Sequence, residues 1–108
     1  MTDAYERRKN RFDETLTRGE KQSFEIDCSE VGYVDLTDGA TVEAILKTPT
    51  THNTYQPDDD PLTVDTRSVS MTLTADTPGI YELRVFVTTG ETKTAFPRDA
   101  PLTIWVSP

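Results

Sequence analysis

The chain has one cysteine and one histidine among its 108 residues, and these two scarcities exclude much chemistry. Cys28 stands alone, so no intrachain disulfide and no CxxC metal or redox motif can exist. Its natural role is that of a small buried hydrophobe. Nucleophilic catalysis needs a nucleophile, a base and an orienting group. His52, in a proline-bounded stretch with no cysteine nearby, does not supply that set, so no enzyme, catalytic residue or cofactor is expected. No apolar run reaches the roughly 18 residues of a membrane helix. The opening Met1-Thr2-Asp3 has none of the apolar stretch of a secretion signal, so synthesis in the cytoplasm with no membrane partner is expected.

Basic side chains are also few, eleven against nineteen acidic ones, for a formal charge of −8. Five of the eleven fall in residues 1–19, beside four acidic ones, so the remainder of the chain is −9. Phosphate contacts need a cationic surface, which disfavours nucleic acid as a partner of the body. Acidic surfaces also serve solubility, and a halophilic source would fit the same balance. The hydrophobic fraction is only 34%. It is gathered in short alternating runs, however, and so describes a thin core and not disorder. A chain of this length holds one domain and buries about 60 to 65% of its unfolded surface.

What is present divides into an arm at 1–19 and a sandwich domain at 20–108. Residues 3–16 carry the one helical pattern. Thr2 or Asp3 can cap it, Glu6 completes a capping box with Asp3, and Gly19 is a natural stop. Tyr5, Phe12 and Leu16 form a narrow apolar stripe beside Arg7, Arg8, Lys9 and Arg11. A segment of about 14 residues is marginal alone and needs a surface to pack against, which predicts a helical or extended docking arm.

After Gly19 the period becomes two. Phe24, Ile26 and Cys28 share one face of a strand. Val34 and Leu36 lead through Thr37-Asp38-Gly39, a turn signal, into a strand with Ala40, Val42, Ala44 and Leu46 inward. Thr48 to Pro61, with three prolines and Asp58-Asp59-Asp60, reads as a long exposed loop. Strands resume at Leu62 and Val64 and at Val69, Met71, Leu73 and Ala75. Asp76-Thr77-Pro78-Gly79 is the clearest turn. Tyr81, Leu83, Val85 and Val87 then face one way. Thr88 to Glu91 turns the chain into Thr92–Phe96, and the last strand puts Leu102, Ile104 and Val106 inward and Trp105 outward. Six or seven short strands with no helix between them predict an all-β fold, a small antiparallel immunoglobulin-like β-sandwich. Nineteen threonines suit its exposed faces.

Three features stand out as candidate sites. Asp58, Asp59, Asp60 and Asp65 offer oxygens of the kind calcium takes, but they lack the glycine and distal glutamate of an EF-hand loop; a solvated acidic loop is the simpler reading. The basic run Arg7 to Arg11, with Arg7, Arg8 and Arg11, suits nucleic acid inside a particle, an acidic patch on a neighbouring subunit, or an ordinary solvated face. Trp105 is either a cover over the N-terminal segment or part of an interface.

Three segments in order, Val34-Asp35-Leu36-Thr37-Asp38-Gly39-Ala40-Thr41-Val42, Thr77-Pro78-Gly79-Ile80-Tyr81-Glu82-Leu83, and Thr94-Ala95-Phe96-Pro97 before Leu102-Thr103-Ile104-Trp105-Val106, carry a resemblance. Over residues 20–106 the chain resembles the N-terminal domain of tailed-phage baseplate upper proteins and related neck, tail and fibre proteins. In that family the sandwich is a scaffold that anchors a longer chain to the particle, with the receptor-binding parts after it. Here Pro108 is the last residue, so the resemblance implies a stand-alone virion component of the neck, connector, baseplate or capsid surface, and it carries over no catalytic residue. The implied partners are other virion structural proteins and copies of the chain in a symmetric assembly. They would be met through Tyr5, Arg7, Arg8, Arg11, Phe12, Leu16 and Trp105. The alternative is an immunoglobulin-like adhesion or carbohydrate-binding module, with calcium at Asp58–Asp60 as an option.

Overall fold

The computed structural model describes residues 12–29 and 35–108. Nine strands run β1 Glu14–Thr17, β2 Lys21–Asp27, β3 Thr41–Lys47, β4 His52–Tyr55, β5 Leu62–Val64, β6 Ser68–Thr74, β7 Gly79–Thr89, β8 Thr92–Phe96 and β9 Leu102–Ser107. They form a three-stranded sheet, β2-β6-β5, and a larger sheet ordered β1-β9-β7-β3-β4, with β8 also paired to β7. The chain crosses from sheet to sheet at β1–β2, β2–β3, β4–β5 and β6–β7, an immunoglobulin-like route through an all-β sandwich.

The alternation read from the sequence builds the core. Phe24 and Ile26 of β2, Val42, Ala44 and Leu46 of β3, Val69, Met71 and Leu73 of β6, and Tyr81, Leu83, Val85 and Val87 of β7 are all buried, as is Cys28 just beyond β2. They join one cluster drawn from both sheets. Among the described residues no other polar or charged side chain is buried. Each such apolar side chain contributes roughly 1.5–3 kcal/mol on leaving water, so the two inner faces are what hold the sheets together.

β7 organises the larger sheet. Of its eleven residues, Glu82 to Thr88 pair with β3 along one side. On the other, Gly79 to Leu83 pair with β9 and Val85 to Thr89 with β8. Between β8 and β9 the chain leaves the ladder at residues 97–101, after a cis Phe96–Pro97 bond. The Arg84 side chain bridges the break, its Nη2 donating to the carbonyls of Pro97 at 3.3 Å and Arg98 at 3.0 Å. At the start of β7, Tyr81 closes a tyrosine corner: its hydroxyl donates to Thr77 O at 2.8 Å and accepts from Thr77 N at 3.2 Å. Such corners recur where a Greek-key strand enters its sheet.

Two expectations are corrected. The helix expected at 3–16 ends in strand: Glu14–Thr17 pairs with β9, Glu14 opposite Ile104 through Thr17 opposite Ser107. That pairing is parallel, so the sandwich is not wholly antiparallel. A long-range partner supplied by β9 outweighs a helical stripe that was marginal by itself. The rest of the expected helix, up to Arg11, lies outside the described residues, as does Val34.

The exposed loop expected at 48–61 contains an edge strand, β4, which pairs with β3 from Lys47 opposite His52 to Ala44 opposite Tyr55. The hairpin between them is closed by Thr48. Its backbone N–H donates to Thr51 O at 2.9 Å. Its hydroxyl oxygen accepts from Thr50 N at 3.2 Å and Thr51 N at 2.9 Å.

Candidate functional site

Side chains not used by the core fall on the outer face of the larger sheet. In β7 the outward positions are Ile80, Glu82, Arg84 and Phe86; in β3 they are Glu43, Ile45 and Lys47; in β9 they are Thr103 and Trp105. Register arranges them in rows across the strands. Trp105 lies beside Ile80, Thr103 beside Glu82 and then Lys47, and Arg84 beside Ile45.

The first row is aromatic and apolar. Phe12 stacks on Trp105 with ring centroids 6.3 Å apart and planes 19° from parallel. Ile80 next to them is 51% exposed, the one large hydrophobe so exposed among the described residues. Phe12 is held there by its neighbour. The Asp13 carboxylate accepts from Thr103 N at 2.9 Å and from the Thr103 hydroxyl at 3.2 Å, tying the chain just before β1 to β9.

Further along the face lies a hollow of about 230 Å³ lined by Ile45, Lys47, Glu82, Arg84, Phe86 and Pro101, together with His52. It exists because Arg84 bends away to the 97–98 carbonyls and does not stand up from the sheet. Phe86 on its rim carries the Lys93 ammonium 4.9 Å from its ring centroid, a cation–π contact.

A wider depression of about 730 Å³ sits at the β4 edge, between His52, Tyr55 and Asp58–Asp60. Asp59 is spent on the turn, its carboxylate accepting from Gln56 N at 2.6 Å. Among the described residues no group of three or more His, Cys, Asp or Glu side chains is placed to hold a metal ion. No helix there is long and apolar enough to cross a membrane.

Of the residues singled out in the sequence, the fold brings Phe12 and Trp105 together. Trp105 therefore covers, and is covered by, the segment preceding β1. Leu16 is corrected: at 4% exposure, opposite Val106, it belongs to the core and cannot meet a partner. Its place on the apolar stripe came from a spacing of four, which suits a helix face but also returns to one face of a strand. Tyr5, Arg7, Arg8 and Arg11 lie outside the described residues. Ile80, Ile45 and Phe86 were not singled out. Their signal was available, since apolar residues at the outward positions of an alternating strand are the ones the core does not require.

No family model matches the chain, and no curated protein matches it in sequence.

Proposed function

We propose that the protein is a structural component of a tailed virus, a neck, connector, baseplate or capsid-surface protein that joins other particle subunits through its N-terminal arm and the outer face of the larger sheet. The observation that carries this reading is the Phe12–Trp105 stack. It fixes the root of the arm to the sheet, so whatever the arm binds is held at a set place relative to the sandwich. Residues 1–11 hold four basic and two acidic side chains, leaving seven basic and seventeen acidic to the rest of the chain. A cationic arm on an anionic body is suited to reach an acidic neighbour, and repetition in a symmetric assembly multiplies a weak contact. The three-segment resemblance to baseplate upper proteins and their relatives points the same way.

The test is deletion of residues 1–11, which leaves β1 in place. The truncated protein should fold with unchanged circular dichroism and fail to enter particles. Normal incorporation would overturn the reading.

A further inference from the structure

We infer that the hollow around Arg84 on the outer face of the larger sheet receives one large apolar side chain with a carboxylate beside it, presented by an acidic segment of a partner protein. This rests on the outer-face part of the reading above and names the chemistry of the partner there.

Register builds the hollow. Ile45 stands opposite Arg84, with Lys47 opposite Glu82 in the row before and Glu43 opposite Phe86 in the row after. The Arg84 head is drawn aside to the carbonyls of Pro97 and Arg98, which leaves the space above Ile45 open between Phe86 and Pro101. Its volume is about 230 Å³. Pockets for whole drug-sized ligands begin at about 300 Å³, so the hollow has room for a single leucine-sized or phenylalanine-sized group. Ile45, Phe86 and Pro101 give that group apolar walls.

Charge decides what accompanies it. The Arg84 Nη2 donates to two carbonyls, and among the described residues its buried Nε has no hydrogen-bond partner. Carbonyls are neutral acceptors, so the guanidinium keeps its whole charge, in a half-buried place where water screens it less than at an open surface. Lys47 adds a second cation to the lining, and Lys93 a third over the Phe86 ring. Against Glu82 and Glu43 these three leave the rows at +1. From residue 12 onward the chain has seven basic and seventeen acidic side chains, so the remainder, four basic and fifteen acidic, is −11. An acidic segment is repelled by most of that surface and attracted at this place.

The arm agrees with this choice of partner. Its root, Phe12 on Trp105, lies two rows away on the same face, beside Ile80. The arm is basic, so arm and hollow are suited to one acidic neighbour. A single anchored side chain with one exposed ion pair binds at millimolar strength or weaker by itself, and repetition in an assembly multiplies it.

Heteronuclear NMR titration of the full chain with capped dipeptides, up to about 20 mM to populate millimolar binding, is the test. Acetyl-Leu-Glu-amide should shift the amide signals of Ile45, Arg84 and Phe86. Acetyl-Leu-Gln-amide, which lacks only the charge, should bind about two- to fivefold more weakly, and acetyl-Ala-Glu-amide, which lacks the anchor, about tenfold more weakly. Lys47→Gln should weaken binding of the Leu-Glu peptide about two- to fivefold and Glu82→Gln should tighten it, both with unchanged circular dichroism. No shift at about 20 mM, equal affinity for the Glu and Gln peptides, equal affinity for the Leu and Ala peptides, or rim variants that leave the affinity unchanged would each overturn the inference. Particle entry by the chain lacking residues 1–11 would overturn the reading above and leave these titrations as they are, so the two fail separately.

Discussion

Phe12 and Trp105 stack across the join between the first described residue and the last strand, with ring centroids 6.3 Å apart. Offset aromatic pairs contribute about 0.5–1.5 kcal/mol beyond the area they bury. Phe12→Ala should therefore lower unfolding free energy by about 1–2 kcal/mol and red-shift the emission of Trp105, the only tryptophan in the chain. Phe12→Leu, which keeps the apolar cover without the ring, should recover part of the stability. Urea titration followed by fluorescence reads both effects, and an unshifted emission maximum in Phe12→Ala would show that the stack does not persist in solution.

The corner at Tyr81 makes a second, sharper prediction. One hydroxyl group both donates to and accepts from the Thr77 backbone, at 2.8 and 3.2 Å. Tyr81 itself is only 3% exposed. Tyr81→Phe keeps the buried ring and removes the oxygen, leaving the Thr77 N–H and C=O without this partner. Because such losses cost about 1–3 kcal/mol when water cannot substitute fully, the variant should fold but melt several degrees lower. Hydrogen exchange should place the added opening at the β6–β7 connection. An exchange pattern identical to wild type would mean the corner is ornamental.

Much of this fold was legible as alternation. β3, β6, β7 and β9 each carry three or more inward apolar residues at every second position, and β2 carries two with Cys28 continuing them just past its end; a pattern of that length has one reading. β4 was not legible for the opposite reason. His52-Asn53-Thr54-Tyr55 sits at an edge with solvent near both faces, so no apolar alternation is needed and only the ladder to β3 makes it a strand. β1 was misread because Phe12 and Leu16 fit a helical stripe, while the partner that decides the matter, β9, lies some ninety residues away. The candidate face was half legible. Trp105 announced itself by facing outward, but the hollow depends on where Arg84 turns, and no spacing in the sequence encodes a contact with the carbonyls of residues 97 and 98.

Gly79 and Pro49 give a prediction about how the two turns at one end of the sandwich interlock. Gly79 has φ +137°, and a Cβ built there would lie 2.6 Å from Pro49 Cγ. Gly79→Ala thus meets two penalties, a backbone region open mainly to glycine and a ring it must displace, together worth roughly 2–4 kcal/mol. Pro49→Ala removes the ring and should relieve only the second. The double variant should accordingly be more stable than Gly79→Ala and less stable than Pro49→Ala. Full recovery in the double variant would show that the clash, and not the backbone, is the whole cost.

Three carboxylates and the lone thiol determine how stability changes at the two ends of the pH scale. Glu20 is held below the usual carboxylate range mainly by the Thr17 N–H, which donates to it at 2.8 Å. Asp27 is lowered mainly by the Ser29 N–H at 2.9 Å. Asp35 is lowered by the Thr37 hydroxyl and then by its N–H at 2.8 Å. A carboxylate whose folded pKa is depressed stabilises the fold above its unfolded pKa of about 4, and that stabilisation disappears as pH falls through the lower folded value. The urea midpoint should therefore drop between pH 5 and pH 2.5. Asp35→Asn, which can still accept from Thr37 but cannot titrate, should flatten that limb. Cys28 acts with the opposite sign. Burial, with the neighbouring Asp27 charge second, pushes its thiol up to about 11. The folded state then retains a proton that the unfolded state releases above about 8.5, so stability should fall as pH rises past that point. Cys28→Ala should remove this alkaline contribution at the cost of a small cavity, and the native thiol should resist iodoacetamide at pH 8 until urea unfolds the chain. Rapid labelling of the folded protein would contradict both its burial and the raised pKa.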